Sequence, residues 1–203
     1  MNIHNLFPIP VGFFDLGRSL SDEELAFIKG QETRSNTGNR TSVNNDILES
    51  KELIHLLDFF LISMDEYFKA TTNPKNDTRL FITQSWLNYT EKGQFHHKHA
   101  HPNSYVSGVF YAETNPDDKI YFYRSGYQQL KIPPKDWNAY NSESWWFEAV
   151  PGRLIMFPSS LEHMVPNVEG NGTRISLSFN TFLSGAVGDD MSLTGLKLLA
   201  NNV

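Results

Sequence analysis

From about residue 78 onward, short runs of aromatic and β-branched residues alternate with Gly, Pro, Asn and Asp. Runs of this length and composition suit strands of a pleated sheet, and the breakers between them suit turns. The candidate strands are 80–89, 105–112, 118–124, 144–149, 153–157 and 173–183. Together they predict a mainly β chain with antiparallel pairing. At 203 residues, a jelly roll or double-stranded β-helix of the cupin-like kind is the natural architecture. The region before residue 78 has a different character. Ser21 followed by Glu24 forms a capping box, and the acids Asp22 and Glu23 favour a helix N-terminus, so a short helix is expected over about 22–31. Apolar residues at 53, 54, 57, 60, 61, 64 and 68 recur with helical spacing and predict a second helix over 50–69. Both helices are expected to pack on one sheet. Residues 6–16 read as an extended apolar segment, with Pro8 and Pro10 suited to an edge strand. Residues 33–47, rich in Asn, Thr, Ser, Gly and Arg, read as a loop.

The expected organisation is one domain over 1–203. It comprises an N-terminal strand and supporting helices (1–77), a double-stranded β-helix core (78–183) and a C-terminal tail (184–203). The tail is expected to hold a small helix near Leu193 to Leu199 or an interface segment, and 124–143, with Pro133-Pro134, reads as an insertion loop. A net charge of -6 disfavours a general nucleic-acid binder, which needs a basic surface against phosphates. The absence of cysteine excludes a disulfide framework, a thiolate zinc site and a cysteine nucleophile. The first five residues lack the profile of a signal peptide. The longest apolar stretch, Leu56 to Met64, is broken by Asp58 and too short to span a bilayer. A cytoplasmic protein with no membrane partner is therefore expected, and a homo-oligomer stays open.

Five of the seven histidines fall in the strand-rich half: His96, His97, His99 and His101 lie together, and His163 stands apart. In a strand, residues i and i+2 point to the same side, so His99 and His101 can converge on one ion, with His163 the obvious third ligand from another strand. Neutral imidazole suits iron, zinc and copper. His97-Lys98-His99 is an equally good His-x-His pair, and the cluster by itself also fits a solvated histidine-rich loop. His4 and His55 have no comparable context and read as ordinary surface or packing residues. Further along, Arg174 and Ser176 share strand parity after a Gly170-Asn171-Gly172 turn, with Ile175, Leu177 and Phe179 alternating against them, which points both polar side chains inward.

The motifs Trp86-Leu87-Asn88-Tyr89, His99-Ala100-His101-Pro102, Ser107-Gly108-Val109-Phe110-Tyr111, Pro151-Gly152-Arg153-Leu154-Ile155-Met156-Phe157-Pro158-Ser159 and Arg174-Ile175-Ser176-Leu177-Ser178-Phe179-Asn180 occur in that order, with His163 between the last two. This succession, with the opening Leu6-Phe7-Pro8-Ile9-Pro10-Val11, resembles the 2-oxoglutarate/Fe(II) oxygenase family related to prolyl 4-hydroxylases, of the type found in marine bacteria and tailed phages. The resemblance is motif-dense only over about 84–182. It implies a double-stranded β-helix with the metal in its open mouth and a non-haem Fe(II)/2-oxoglutarate-dependent dioxygenase using O2. Such an enzyme would hydroxylate a C–H bond of a small-molecule or peptide substrate and release succinate and CO2, in the host cytoplasm if phage-encoded.

By the same resemblance, His99, His101 and His163 are the metal ligands, although the family commonly has Asp or Glu where His101 stands. Either three histidines hold the metal or water takes the middle place, and Glu113, at an expected strand end, is a poor substitute. Arg174 and Ser176 match the position that grips the distal carboxylate of 2-oxoglutarate, where a guanidinium can fork two hydrogen bonds. Tyr111 matches a tyrosine that touches the same carboxylate or, otherwise, packs in the core. Asn88 and Asn180 are inward candidates near the metal, while Trp86, Phe110 and Phe157 are expected in the core. The segments 33–47 and 124–143 are candidates to cover the mouth. Trp137, Tyr140, Trp145 and Trp146 could form a substrate surface, with packing the favoured role. Two rivals are a three-histidine cupin-type metalloenzyme that uses no 2-oxoglutarate, and a non-catalytic jelly-roll binding protein.

Overall fold

The longest strand shows how the sequence divides core from cavity. In Arg174–Val187, the residues Ile175, Leu177 and Phe179 point into a hydrophobic core while Arg174, Ser176 and Ser178 line a cavity on the other side. A pleated strand with unlike faces must lie between two layers. The structure, a computed structural model, describes residues 1–126, 130 and 132–198.

In chain order the elements are β1 (Gly12–Asp15), α1 (Asp22–Lys29), β2 (Thr33–Ser35), β3 (Arg40–Ser42), two 3-10 turns (Ile47–Glu49 and Lys51–Leu53), α2 (Ile54–Thr71), β4 (Thr78–Thr90), β5 (His96–His99), β6 (Val106–Glu113), β7 (Lys119–Tyr123), β8 (Ser144–Glu148), β9 (Arg153–Pro158), β10 (His163–Val165), β11 (Arg174–Val187) and β12 (Leu196–Leu198). The larger sheet runs β1-β9-β6-β11-β4-β3-β2, with β12 also on β11, and the smaller runs β5-β10-β7-β8. All named strand pairs are antiparallel. This is the mainly β, jelly-roll architecture with flanking N-terminal helices that the strand pattern predicts.

The outer face of the larger sheet carries Leu87, Phe110, Leu154, Met156, Leu177 and Phe179, all buried against Leu53, Leu56, Phe60 and Met64 of the α2 region and Ile28 of α1. The Phe60 ring lies 5.2 Å from that of Phe179 and 5.6 Å from that of Phe110. Gly108 makes room for this layer, because a Cβ there would stand 2.4 Å from the Phe179 ring. Each such fully buried large side chain contributes roughly 1.5–3 kcal/mol. The inner face holds a smaller core, where Val109, Tyr111, Ile155 and Phe157 meet Ile120, Phe122 and Ala149. Helix α1 has the expected box: the Ser21 hydroxyl accepts from the Glu24 N–H at 3.1 Å, and the Glu24 carboxylate accepts from the Ser21 N–H at 2.7 Å.

Several expectations change. The second helix begins as a 3-10 turn, and its buried apolar stripe is Leu53, Leu56, Phe60, Met64, Tyr67 and Phe68, which leaves Ile54 and Leu61 exposed. Residues 33–47 are not a loop. They form the β2–β3 hairpin, joined to β4 through Arg40↔Tyr89 and Thr41↔Asn88, and end in a 3-10 turn with Ile47 and Leu48 buried. Their edge position, with few apolar side chains buried, explains the missing apolar alternation. The tail has no helix over 193–198. Strand β11 runs on to Val187, and Leu196–Leu198 folds back on it. Leu199, the end of the expected helix, lies outside the described residues, as do 127–129 and 131 of the insertion loop. Among the described residues no helix is long and apolar enough to cross a membrane.

Candidate metal centre

Strands β5 and β10 bring the histidines together. His163 pairs with His99 and Val165 with His96, so β5 holds one extra residue as a bulge. His101 lies just past β5, and its backbone N–H donates to the Ser159 carbonyl at 2.9 Å. The ring centroids of His99 and His163 are 4.5 Å apart, and that of His101 is 5.0 Å from each. One nitrogen from each ring lies within 4.8 Å of the others, a set that can hold a cation. His97 instead groups with His96 and His99. Of the two overlapping His-x-His pairs, only His99 and His101 meet His163.

Hydrogen bonds fix how these rings face. His99 Nδ1 lies 2.7 Å from the His97 carbonyl oxygen, and His163 Nδ1 lies 2.9 Å from that of Leu161. His101 Nδ1 lies 2.6 Å from Asn180 Oδ1 and 2.8 Å from Ser107 Oγ. An Nδ1–H donated to a carbonyl leaves the Nε2 lone pair free, the usual tautomer of a metal-bound imidazole. The Nε2 atoms of His99 and His101 are 3.1 Å apart, so two lone pairs converge on a region that a cation would stabilise. The Phe157 ring, 4.7 Å from that of His163, and the Trp86 ring, 5.9 Å from that of His101, wall the cluster.

Burial pushes the His163 imidazolium down to about 3 and that of His101 to about 4, and it lowers His99 as well. The rings are therefore neutral near pH 7, the form that binds metal. The folded-state values lie below the unfolded value, so the unfolded chain binds more protons at mildly acidic pH. Stability of the metal-free chain is expected to be full above about pH 6.5 and to fall as pH drops toward 4. Thermal melts across that range check this, and His163→Gln is expected to flatten the decline.

The cavity runs from the histidines along the inner face of the larger sheet. Its walls include Trp86, Asn88, His96, Arg174, Ser176 and Ser178. Strand register lines these residues up in rows. Asn88, Ser176 and Tyr111 form one row, Trp86, Ser178 and Val109 the next, and Asn180 and Ser107 the row beside His101. Arg174 is 2% exposed, yet its Nε and Nη2 have no hydrogen-bond partner. The buried Tyr111 hydroxyl and Asn88 Oδ1 also lack partners. Arg174 Cζ lies 5.1 Å from the Tyr111 ring centre. Unpaired buried donors are costly, and a guanidinium beside a free phenol suits a carboxylate.

Some site residues had no sequence assignment. His96 lines the cavity. Ser107 and Ser159 bond at 2.8 Å, Ser159 and Ser104 at 2.7 Å, and the Ser107 hydroxyl also donates to Asn180 Oδ1 at 2.8 Å, which braces His101. Ser107 shares strand parity with Tyr111, and that signal could have found it. Asp118, 7% exposed and with a carboxylate oxygen 4.0 Å from Arg174 Nε, carries no comparable signal. Glu113 is outside the cluster and pairs with Lys29 at 2.6 Å. Phe110 is a core residue, Phe157 is buried and also lines the cavity, and Trp86 lines the cavity because its position on β4 faces inward. Trp137, Tyr140, Trp145 and Trp146 do not pack away, being 64%, 56%, 42% and 43% exposed. Tyr140 and Trp145 line a groove bounded by the N-terminal segment, while Trp146 lies beneath Lys119.

A jelly roll with three converging imidazoles at one end of a cavity, and at the other a buried arginine with two N–H groups that lack hydrogen-bond partners, is an arrangement that suits a 2-oxoglutarate/Fe(II) oxygenase. Residues 84–180, just under half of the chain, match the family model described as "Putative 2OG-Fe(II) oxygenase". No curated protein matches the sequence. Similar solved structures include HygX from Streptomyces hygroscopicus with nickel and 2-oxoglutarate bound, at 12% identity and a TM-score of 0.59, covering 85% of this chain and 82% of that one. A prolyl hydroxylase from Trichoplax adhaerens, in complex with a hypoxia inducible factor peptide fragment, has 14% identity and a TM-score of 0.57 over 85% and 83%. An oxidoreductase of the 2OG-Fe(II) oxygenase family from Burkholderia pseudomallei has 14% identity and a TM-score of 0.55 over 77% and 74%. At such identities the likeness is one of fold.

Proposed function

We propose that this oxygenase, working as one domain over 1–203, hydroxylates a C–H bond of a small-molecule or peptide substrate and releases succinate and CO2. His99, His101 and His163 would hold Fe(II). Arg174 and Ser176, with Tyr111 and Asn88, would hold 2-oxoglutarate. The observation that carries this is the buried Arg174, whose Nε and Nη2 stay unpaired beside the unpaired Tyr111 hydroxyl, in the same cavity as the three imidazoles.

Fe(II), 2-oxoglutarate and O2 together supply the oxidising chemistry. The chain's own groups do the rest. The three neutral imidazoles offer lone pairs, and the His97 and Leu161 carbonyls and the Asn180 amide oxygen fix their tautomers. Arg174 neutralises a carboxylate at the inner end, and the Tyr111 hydroxyl can donate to it. Val109, Phe157 and Ile120 exclude water around the cosubstrate path. The exposed aromatic side chains Tyr140 and Trp145 offer a substrate surface.

The third imidazole in place of a carboxylate favours one competing reading, a metalloenzyme that uses no 2-oxoglutarate, but that reading gives Arg174 no ligand. The test is a titration of anaerobic, Fe(II)-loaded protein with 2-oxoglutarate. A weak visible charge-transfer band should appear, and admitting O2 should release succinate. Iron binding with neither band nor succinate would favour the competing reading.

A further inference from the structure

The buried acid beside Arg174 has no part in the scheme above. Asp118 closes the turn that leads into β7, and its side chain is 5% exposed against 2% for that of Arg174. One carboxylate oxygen accepts the Asn115 backbone N–H at 2.8 Å and approaches the Asn115 side-chain nitrogen at 3.5 Å. That same oxygen is 4.0 Å from Arg174 Nε, near enough to compensate its charge but too far to hydrogen-bond. Asn115 in turn clasps the turn leading into β11. Its side-chain nitrogen donates to the Gly172 carbonyl at 2.8 Å, and its side-chain oxygen accepts from the Gly172 N–H at 2.9 Å. Gly170 allows this fit, since a Cβ there would meet the Asn115 side-chain oxygen at 2.3 Å. Asp118, Asn115 and the turn two residues before Arg174 thus form one built assembly.

We infer that Asp118 is a positioning and affinity-setting residue for the cosubstrate, a buried counter-ion held just short of bonding to Arg174. This rests on the reading of Arg174 as the residue that holds 2-oxoglutarate. A buried guanidinium without a counter-charge is strongly destabilising, and an acid bonded directly to it would consume the donors a ligand needs. The Asn115 N–H holds the Asp118 carboxylate back, so the empty pocket is compensated while Nε and Nη2 stay available. The cost is repulsion: a bound carboxylate shares Arg174 with a second anion, which sets 2-oxoglutarate affinity below what the arginine alone would give.

The test is calorimetric titration of anaerobic, Fe(II)-loaded protein with 2-oxoglutarate. Asp118→Asn should bind about 10-fold more tightly than the native chain, while melting at a lower temperature in the absence of 2-oxoglutarate. Asp118→Glu, whose longer arm brings a carboxylate within bonding reach of Nε, should bind about 10-fold more weakly. A merely structural residue would not give opposite signs. Unchanged or weaker binding in Asp118→Asn with the fold intact overturns the inference. If that variant does not fold, unchanged or tighter binding in Asp118→Glu does so instead. Arg174→Gln separates this from the underlying assignment. Native-like affinity in that variant removes the cosubstrate role of Arg174, whereas lost affinity there without tightening in Asp118→Asn removes only the role of Asp118.

Discussion

His163→Ala is expected to lower Fe(II) affinity by more than about 100-fold, because losing even an outer partner of a metal-bound imidazole costs about 10–100-fold. His163 is 7% exposed, its ring sits against Phe157, and its Nδ1 is engaged by the Leu161 carbonyl, so its remaining nitrogen is held toward His99 and His101. Among the described residues His96 and His97 group with His99, whereas His163 groups with both His99 and His101. The variant should lose on the order of 2 kcal/mol of stability from the void beside Phe157, so circular dichroism must accompany the metal titration. Asn180→Ala gives the graded comparison. It keeps all three imidazoles but removes the amide oxygen 2.6 Å from His101 Nδ1, and should fall within the 10–100-fold range. Equal iron affinity in His163→Ala and the native chain would remove this histidine from the metal site.

Arg174→Gln should leave iron affinity intact and weaken 2-oxoglutarate binding by roughly 30-fold or more, the effect of about 2–5 kcal/mol typical of truncating one side of a buried charge pair. The loss should appear as a raised KM for 2-oxoglutarate and a missing charge-transfer band at cosubstrate concentrations that saturate the native chain. Ser176→Ala, which removes one hydroxyl and no charge, should cost less, about 0.5–1.5 kcal/mol. The ranking Arg174 over Ser176 is the diagnostic result, because a cavity that merely needs filling would show no such order.

Strand parity was the most legible signal in the sequence. It put Arg174 and Ser176 on one face of β11 and Ile175, Leu177 and Phe179 on the other, and the structure has that division. It did not suffice for the histidines. His101 lies beyond the end of β5 and a bulge interrupts the β5–β10 pairing, so alternation alone could not choose between His97 and His101 as the partner of His99. The hairpin at 33–47 was illegible because edge strands with polar side chains look like loops. Asp118 was illegible because its partner is 56 residues away by number and joined to it only through the meeting of two turns. The aromatic residues at 137, 140, 145 and 146 misled through composition, since large aromatics more often pack than stand exposed.

The alternation along β11 has a consequence for how such a chain can vary. One deleted residue between Arg174 and Phe179 would exchange the two faces, sending a guanidinium toward Phe60 and an isoleucine toward the imidazoles. Such a change would fail as a fold before it could be tried as an enzyme. Length changes are absorbed where pairing already carries an odd residue, as at Thr83 opposite the Asn180–Thr181 step, and in the turns. The interior of this strand is therefore open to substitution and closed to insertion, and new specificities must be built from the loops at its ends.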